Sequence, residues 1–339
     1  MKIAVVSFTR NGAILNKKIS KSLNCEGYTI NRFSNEFNLK PLEKGLSTWT
    51  EEMFKVCDGI IFIGACGIAV RSIAPYIKSK TTDPCVIVVD EMGKYTIPIL
   101  SGHIGGGNSL AREISAITKG ECILSTATDI NNKFAVDVFA VKNNLYISDM
   151  KIAKEISARV LEGEKIGFIS ELDVKGRLPS ELSSTGDIGI YIGLDDSKKP
   201  FKTTLNLVPK VVSLGIGCKK NTSLKAIEDL ATWQLEKYKI SKHAIEGVFS
   251  IDIKKEEKGI IDFADKINAP FKTFSSEELL TVKGEFTKSN FVKSITGVDN
   301  VCERSAVLGN CGQLLIKKTS KNGVTFAASV RKWGIDFEN

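Results

Sequence analysis

Gly59-Ile60-Ile61-Phe62-Ile63-Gly64-Ala65-Cys66-Gly67-Ile68-Ala69-Val70-Arg71 decides the fold. Its first five residues are apolar without alternation, which reads as a strand buried on both faces, as parallel strands are. Gly64 and Gly67 break the run, and an apolar segment ending in Arg71 opens a helix. A strand that feeds a glycine turn and a helix start places ligands at strand carboxyl ends in doubly wound sheets. The spacing is not Gly-x-Gly-x-x-Gly, so a dinucleotide is not indicated. Arg71 is either an anion partner there or the solvated end of a tight turn.

Outward from this stretch, strands alternate with helices. Met1–Ser7 reads as a buried strand without a signal-peptide layout. Asn11-Gly12 turns into a helix through about Leu23, Tyr28–Phe33 is a second strand, and residues 46–57 are helical, with Leu46, Trp49, Met53 and Val56 on one face. Cys85–Glu91 and Tyr95–Leu100 are strands joined through Gly93-Lys94. Ser109–Thr118 is a helix with Leu110, Ile114 and Ile117 inward, and Cys122–Ser125 is a further strand. The expected architecture is α/β: an N-terminal doubly wound, mainly parallel sheet over 1–147, a small middle module over 148–209, and a separate α/β C-terminal domain over 210–339.

In the middle module a helix near 151–161 precedes strands Ile166–Ile169 and Ile188–Ile192. The C-terminal domain opens with strand Val211–Leu214 and a second glycine loop, Gly215-Ile216-Gly217-Cys218-Lys219-Lys220-Asn221-Thr222-Ser223. A helix to about Tyr238 follows, with Thr222 or Ser223 as its N-cap. Residues 275–280 and 286–295 read as helices. Leu314–Lys318 and Val324–Val330 form a closing hairpin on Asn322-Gly323.

Composition narrows the function classes. A chain of 339 residues with 42% hydrophobic and 25% charged residues suits a soluble enzyme of two or more domains. No apolar run approaches the roughly 20 residues of a membrane helix, so the expected location is cytoplasmic. The net charge of +8 suits an acidic partner, but the lysines are scattered and no basic block is interleaved with aromatics, which argues against nucleic acid. Eight cysteines without a Cys-x-x-Cys pair give no zinc signature and no disulfide framework; they read mostly as small core hydrophobes. With two histidines in the chain, most histidine-rich metal sites are removed.

The densest chemistry is Ser101-Gly102-His103-Ile104-Gly105-Gly106-Gly107-Asn108, between the Tyr95–Leu100 strand and a helix. Glycines permit close approach of a ligand, and free N–H groups at a helix start favour an anion. His103 can act as acid, base or donor near neutral pH. Asp90, Glu91 and Asp129, at strand ends, are candidates to orient or assist it, or else cap helices or meet solvent in loops; His243, beside lysines, reads as structural or surface.

These motifs carry a resemblance. Gly64–Arg71, Asp90-Glu91, Leu100–Ala111 and Thr126–Asp129 resemble the N-terminal domain of the CbiG family, cobalt-precorrin-5A hydrolase of anaerobic cobalamin biosynthesis. Leu214–Cys218, Val301-Cys302-Glu303 and Gly323–Thr325 resemble its C-terminal domain, which is shared with CobE. Cys302-Glu303-Arg304-Ser305-Ala306 departs from the alanine-richer run expected there. The resemblance implies hydrolysis of a cobalt-containing, polycarboxylate tetrapyrrole: water opens a δ-lactone and a two-carbon unit leaves as acetaldehyde, giving cobalt-precorrin-5B. Cobalt would come with the substrate and no other cofactor is implied. His103 would activate water or contact the cobalt, with Glu91 or Asp129 orienting it and the Gly105–Gly107 amides or Arg71 holding the oxyanion. Substrate carboxylates would meet Gly64, Cys66, Gly67, Arg71, Ser101, Gly102, Gly105, Gly106, Gly107, Asn108, Gly215, Gly217, Cys218 and Lys219. Partners implied are the substrate and, transiently, neighbouring pathway enzymes, with no membrane. The rival readings are a non-catalytic tetrapyrrole carrier of the same pathway and a phosphate- or nucleotide-binding enzyme.

Overall fold

A computed structural model describes residues 1–79, 82–102, 105–125, 131 and 133–338. The chain divides into two compact units, Met1–Val138 and Phe139–Asn339.

In the first unit, β1 (Ile3–Ser7), β2 (Glu26–Thr29), β3 (Lys40–Pro41), β4 (Gly59–Ile63) and β5 (Cys85–Val89) are parallel. β6 (Tyr95–Leu100) runs against β5, and β7 (Glu121–Cys122) pairs with β6. The order β3-β2-β1-β4-β5-β6-β7 means the chain winds outward from β1 in both directions, the doubly wound arrangement. The unbroken apolar strands are explained by helices on both faces. On one, Val5, Ile61, Ile63 and Ile87 pack with Ile19 of α1 (Arg10–Ser22). Leu110 and Ile114 of α5 (Gly107–Thr118) join the same core. On the other, Ala4, Val6, Ile60 and Phe62 meet Trp49 of α3 (Gly45–Val56) and Ala69 and Ile73 of α4 (Cys66–Ile73).

Two expectations shorten. The second strand ends at Thr29, because Asn31–Phe37 forms α2, closed by Asn38 in the left-handed region at φ 54°. Phe33 and Phe37 stand four apart, a spacing that favours a helix over an alternating strand. The strand placed at Cys122–Ser125 is the short β7 instead.

The division between units falls within α6 (Val136–Lys142). In the second unit, β9 (Ile166–Ser170), β11 (Leu182–Ser183), β12 (Ile188–Ile192) and β13 (Thr203–Pro209) are parallel, and β8 (Leu145–Ile147) closes that sheet antiparallel to β13. α7 (Met150–Leu161) is capped by Asp149, whose carboxylate accepts from the N–H groups of Lys151 and Ile152. A small ladder pairs β10 (Asp173–Lys175) with β19 (Gly334–Asp336). A further sheet has the order β16-β15-β14-β18-β17. In it β14 (Val212–Cys218), β15 (Ile245–Ile251) and β16 (Phe271–Phe274) are parallel, while β18 (Val324–Val330) and β17 (Gln313–Lys321) form the closing hairpin. Asn322 and Gly323 both have positive φ, 51° and 79°, as a two-residue hairpin turn of this hand requires.

Leu214, Ile216, Val248 and Phe326 pack under α8 (Leu224–Lys237) and α9 (Lys258–Lys266) through Ile227, Leu230, Ile260 and Phe263. Further helices among the described residues are α10 (Ser276–Thr281), α11 (Asn290–Thr296) and α12 (Cys302–Asn310). The two sheets of this unit are tied by the stacked rings of Tyr146 and His243, 3.6 Å apart, and by the Ser241 hydroxyl donating to Asp196 at 2.6 Å.

The second glycine loop is corrected. Gly215 and Gly217 lie inside β14, paired across to Ala327 and Thr325 of β18. Gly215 is glycine because α12 crosses over it: a Cβ there would fall 1.8 Å from the carbonyl oxygen of Cys302. The cysteines also divide differently from expectation. Cys85 and Cys302 are buried, Cys66 and Cys311 are exposed, the other four are half-buried, and all eight are free thiols.

Gly215→Ala therefore has to push α12 away from the sheet. We expect a loss of about 1–3 kcal/mol in stability by urea denaturation, the usual cost of overpacking; an unchanged midpoint would contradict this account.

Candidate functional site

The candidate residues of the first unit form two groups, because β6 reverses the chain. One group sits at the carboxyl ends of β1, β4 and β5. There Thr9 caps α1, accepting from the Gly12 N–H at 3.0 Å, and its own hydroxyl donates to Glu91 at 2.7 Å. Gly64 turns the chain out of β4 at φ 154°, and Ala65 begins α4 without a side-chain cap. The first-turn residues Cys66 and Gly67 are exposed, and Arg71 reaches back so that its Nη1 lies 3.7 Å from where a Cβ of Gly67 would be. Asp90 is a turn-former: its carboxylate accepts from the N–H groups of Met92 and Tyr95.

The other group is the Ser101–Asn108 turn. Leu100 pairs beside Val86, near the amino end of β5, so the turn leaves the sheet at the edge opposite Glu91. A five-residue strand spans about 17 Å, and that length separates Glu91 from Gly102 and Gly105. The structure thus does not bring Glu91 to Gly102 or Gly105. His103 and Asp129 lie outside the described residues.

Within the turn, Ser101 takes the left-handed region at φ 51°, and its carbonyl accepts from the Gly107 N–H at 3.2 Å. The Gly102 carbonyl accepts from the Asn108 N–H at 2.8 Å. A Cβ on Gly102 would fall 2.6 Å from Asn108 Oδ1, and one on Gly105 would fall 2.5 Å from Ser101 Cβ. These glycines therefore serve internal packing, while Gly106, at φ 78°, has open space where a Cβ would stand. Among the described residues, none accepts from the N–H of Gly105 or Gly106, which start the approach to α5. The Ser101 hydroxyl is buried and has no hydrogen-bond partner among the described residues.

In the second unit, Gly217, Cys218 and Lys219 line a cleft of about 650 Å³ at the carboxyl end of β14, whereas Gly215 is buried under α12. Lys219 is fixed at the mouth by its N–H, which donates to the Gly323 carbonyl at 3.1 Å. Burial raises the Cys218 thiol above its ordinary pKa and pushes Cys302 up to about 12, so neither is a ready thiolate nucleophile. Sequence reading missed Ile253, Phe291, Ile295 and Lys318 of the same cleft. The available signal was Phe291 and Ile295, four apart on one short helix.

His243 is structural. Burial, with Lys242 beside it, holds its imidazole below the ordinary value of 6.5. The folded state therefore favours the neutral ring, and below that value the unfolded chain takes up the proton more readily. Stability from this group is kept at higher pH and is lost as pH falls. His243→Phe, which keeps a ring against Tyr146, should flatten the drop in urea midpoint between about pH 7.5 and about pH 5; an undiminished drop would assign it to other groups.

Comparison with known proteins places these features in context. A model described as cobalamin synthesis G N-terminal matches residues 48–129, the cobalamin biosynthesis central region matches 134–209, and cobalamin synthesis G C-terminus matches 212–329. A cobalt-precorrin-5A hydrolase of Salmonella typhimurium is 32% identical, over 97% of each chain. A crystal structure of a cobalamin biosynthesis protein G homologue from Sulfolobus solfataricus is 25% identical over 97% of each chain, with a TM-score of 0.43. CobE, a protein of the cobalamin pathway, aligns over 36% of this chain and 91% of its own, with 23% identity and a TM-score of 0.34.

Proposed function

This chain belongs to the cobalt-precorrin-5A hydrolase (CbiG) family of cobalamin biosynthesis, and from that premise we propose how its residues divide the reaction. The full-length match to the Salmonella hydrolase carries the reading of substrate and reaction type. The chain acts on cobalt-precorrin-5A, whose cobalt it receives with the substrate. Water adds to the lactone carbonyl, the ring C–O bond breaks, and a hydroxyl is left on the two-carbon unit. As that hydroxyl loses its proton and becomes a carbonyl, the carbon–carbon bond to the macrocycle breaks. Its electron pair passes to the ring, which takes up a proton, and acetaldehyde leaves.

The Ser101–Asn108 turn is our choice for the chemistry. His103 acts as the base toward water and then returns the proton. The N–H groups of Gly105 and Gly106 are suited to the lactone oxyanion, since the Gly107 and Asn108 N–H groups already serve Ser101 and Gly102. Asp129 remains the candidate to orient His103. Glu91, bonded to Thr9 at the opposite sheet edge, is left out of the step.

His103→Ala should bind substrate yet release acetaldehyde at least about 100-fold more slowly, within the range for general acid–base groups. Glu91→Gln should stay within about threefold of wild type. Acetaldehyde is followed with alcohol dehydrogenase and NADH. A wild-type rate in the His103 variant would remove the histidine from the mechanism, and a wild-type chain that binds substrate without releasing acetaldehyde would return the carrier reading.

A further inference from the structure

We infer that the cleft at the carboxyl end of the C-terminal sheet holds the tetrapyrrole macrocycle, with α11 against its apolar face and lysines on its carboxylates. This rests on the cobalt-precorrin reading and adds the place and the residues that bind.

The cleft joins two features that are unfavourable without a ligand. Phe291 is 74% exposed, Ile295 61% and Ile253 60%, so three large apolar side chains stand in water beside one another's cleft walls. Clustered exposure of this kind marks a binding surface, whereas scattered single residues do not. Among the described residues, four lysines and no carboxylate line the same space. Lys254 is ion-paired with Glu257 at 3.0 Å, while among the described residues no carboxylate is paired with Lys219, Lys220 or Lys318. A volume of about 650 Å³ is that of a small-molecule site.

The apolar wall is held in place from behind. Glu303 is fully buried, and its carboxylate accepts from Thr287 N–H at 2.7 Å, Thr287 Oγ1 at 3.0 Å, Asn300 Nδ2 at 2.6 Å and Lys318 N–H at 2.6 Å. Arg304 donates to Asp299 at 3.1 Å and to the Val282 carbonyl at 2.8 Å, and lies 4.6 Å over the Phe286 ring. The segments on both sides of α11 are thus anchored to α12, so the exposed face of α11 is presented on a fixed frame.

A flat, largely apolar ring edged with carboxylates matches this surface in both respects. Phe291 and Ile295 cover the ring face, and Lys219, Lys220 and Lys318 meet the acidic edge. A fatty acid would need one cation, and an acidic peptide would leave the apolar wall uncovered.

The test uses the full-length chain and two double variants, Phe291→Ser with Ile295→Ser at exposed positions, and Lys219→Glu with Lys318→Glu at an exposed and a half-buried one. Binding is read first with uroporphyrin III, a metal-free octacarboxylate, by quenching of its emission. Each variant should weaken it at least about tenfold, equal to about 1.4 kcal/mol. The wild-type affinity should fall with salt, and the lysine variant should lose most of that dependence. With cobalt-precorrin-5A, KM should rise by a similar factor while kcat is kept, and circular dichroism and the melting temperature should match wild type. Wild-type binding and KM in both variants would overturn the assignment of the cleft. Acetaldehyde release by the wild type reports on the reaction separately: no release, with binding still lost in both variants, keeps the cleft and overturns the hydrolase reading.

Discussion

The antiparallel pairing of β6 on β5 decides which residues of the first unit can meet. A parallel β6 would have delivered the Ser101–Asn108 turn to the same edge as Gly64, Cys66, Arg71 and Glu91. Reversal sends it to the amino ends of β4 and β5 instead, where the Leu100–Val86 register fixes it. The usual expectation that ligands gather at the carboxyl edge of a doubly wound sheet then applies to the α4 start and not to the Ser101-Gly102 end of β6. Each edge keeps a self-consistent set of bonds: Thr9 with Glu91 and Asp90 with its own turn on one side, Ser101 and Gly102 with the start of α5 on the other.

The second unit depends on a buried charge in a comparable way. An unpaired carboxylate in an apolar interior costs several kcal/mol, so it is tolerated when its lone pairs are filled. Glu303 receives four donors, two from Thr287, one from Asn300 and one from the β17 backbone at Lys318. Those partners come from three separate stretches of chain, and loss of any one would leave the charge undersatisfied. The frame behind α11 therefore forms as one piece. Arg304, next in sequence, extends it to Asp299 and the end of α10. The Cys302–Ala306 run that departs from the alanine-rich expectation is the segment that carries this anchoring.

Much of this was legible from the residues. The apolar β4 run announced a doubly wound sheet, and Asn322-Gly323 announced its hairpin. The direction of β6 was legible too, in the length of its connection: Asp90–Lys94 is far too short for a parallel crossover, which needs a dozen residues or more. What sequence could not distinguish was the purpose of a glycine. Gly215 makes room for the backbone of α12, Gly102 for the Asn108 side chain, and Gly106 for no described residue, yet all three look alike in a glycine-rich motif. Phe291 and Ile295 read as a helix face, but whether such a face is buried or exposed depends on partners distant in sequence.

The energetics favour separating binding from chemistry in this chain. The Ser101–Asn108 turn spends the Gly107 and Asn108 N–H groups on itself, and among the described residues nothing accepts from those of Gly105 and Gly106. Such groups act most strongly on charge that appears in the transition state and hold the ground-state ester weakly. A large polycarboxylate then has to gain its affinity through parts remote from the lactone. Exposed apolar side chains beside lysines that have no carboxylate partner among the described residues, as in the C-terminal cleft, are contacts of that kind.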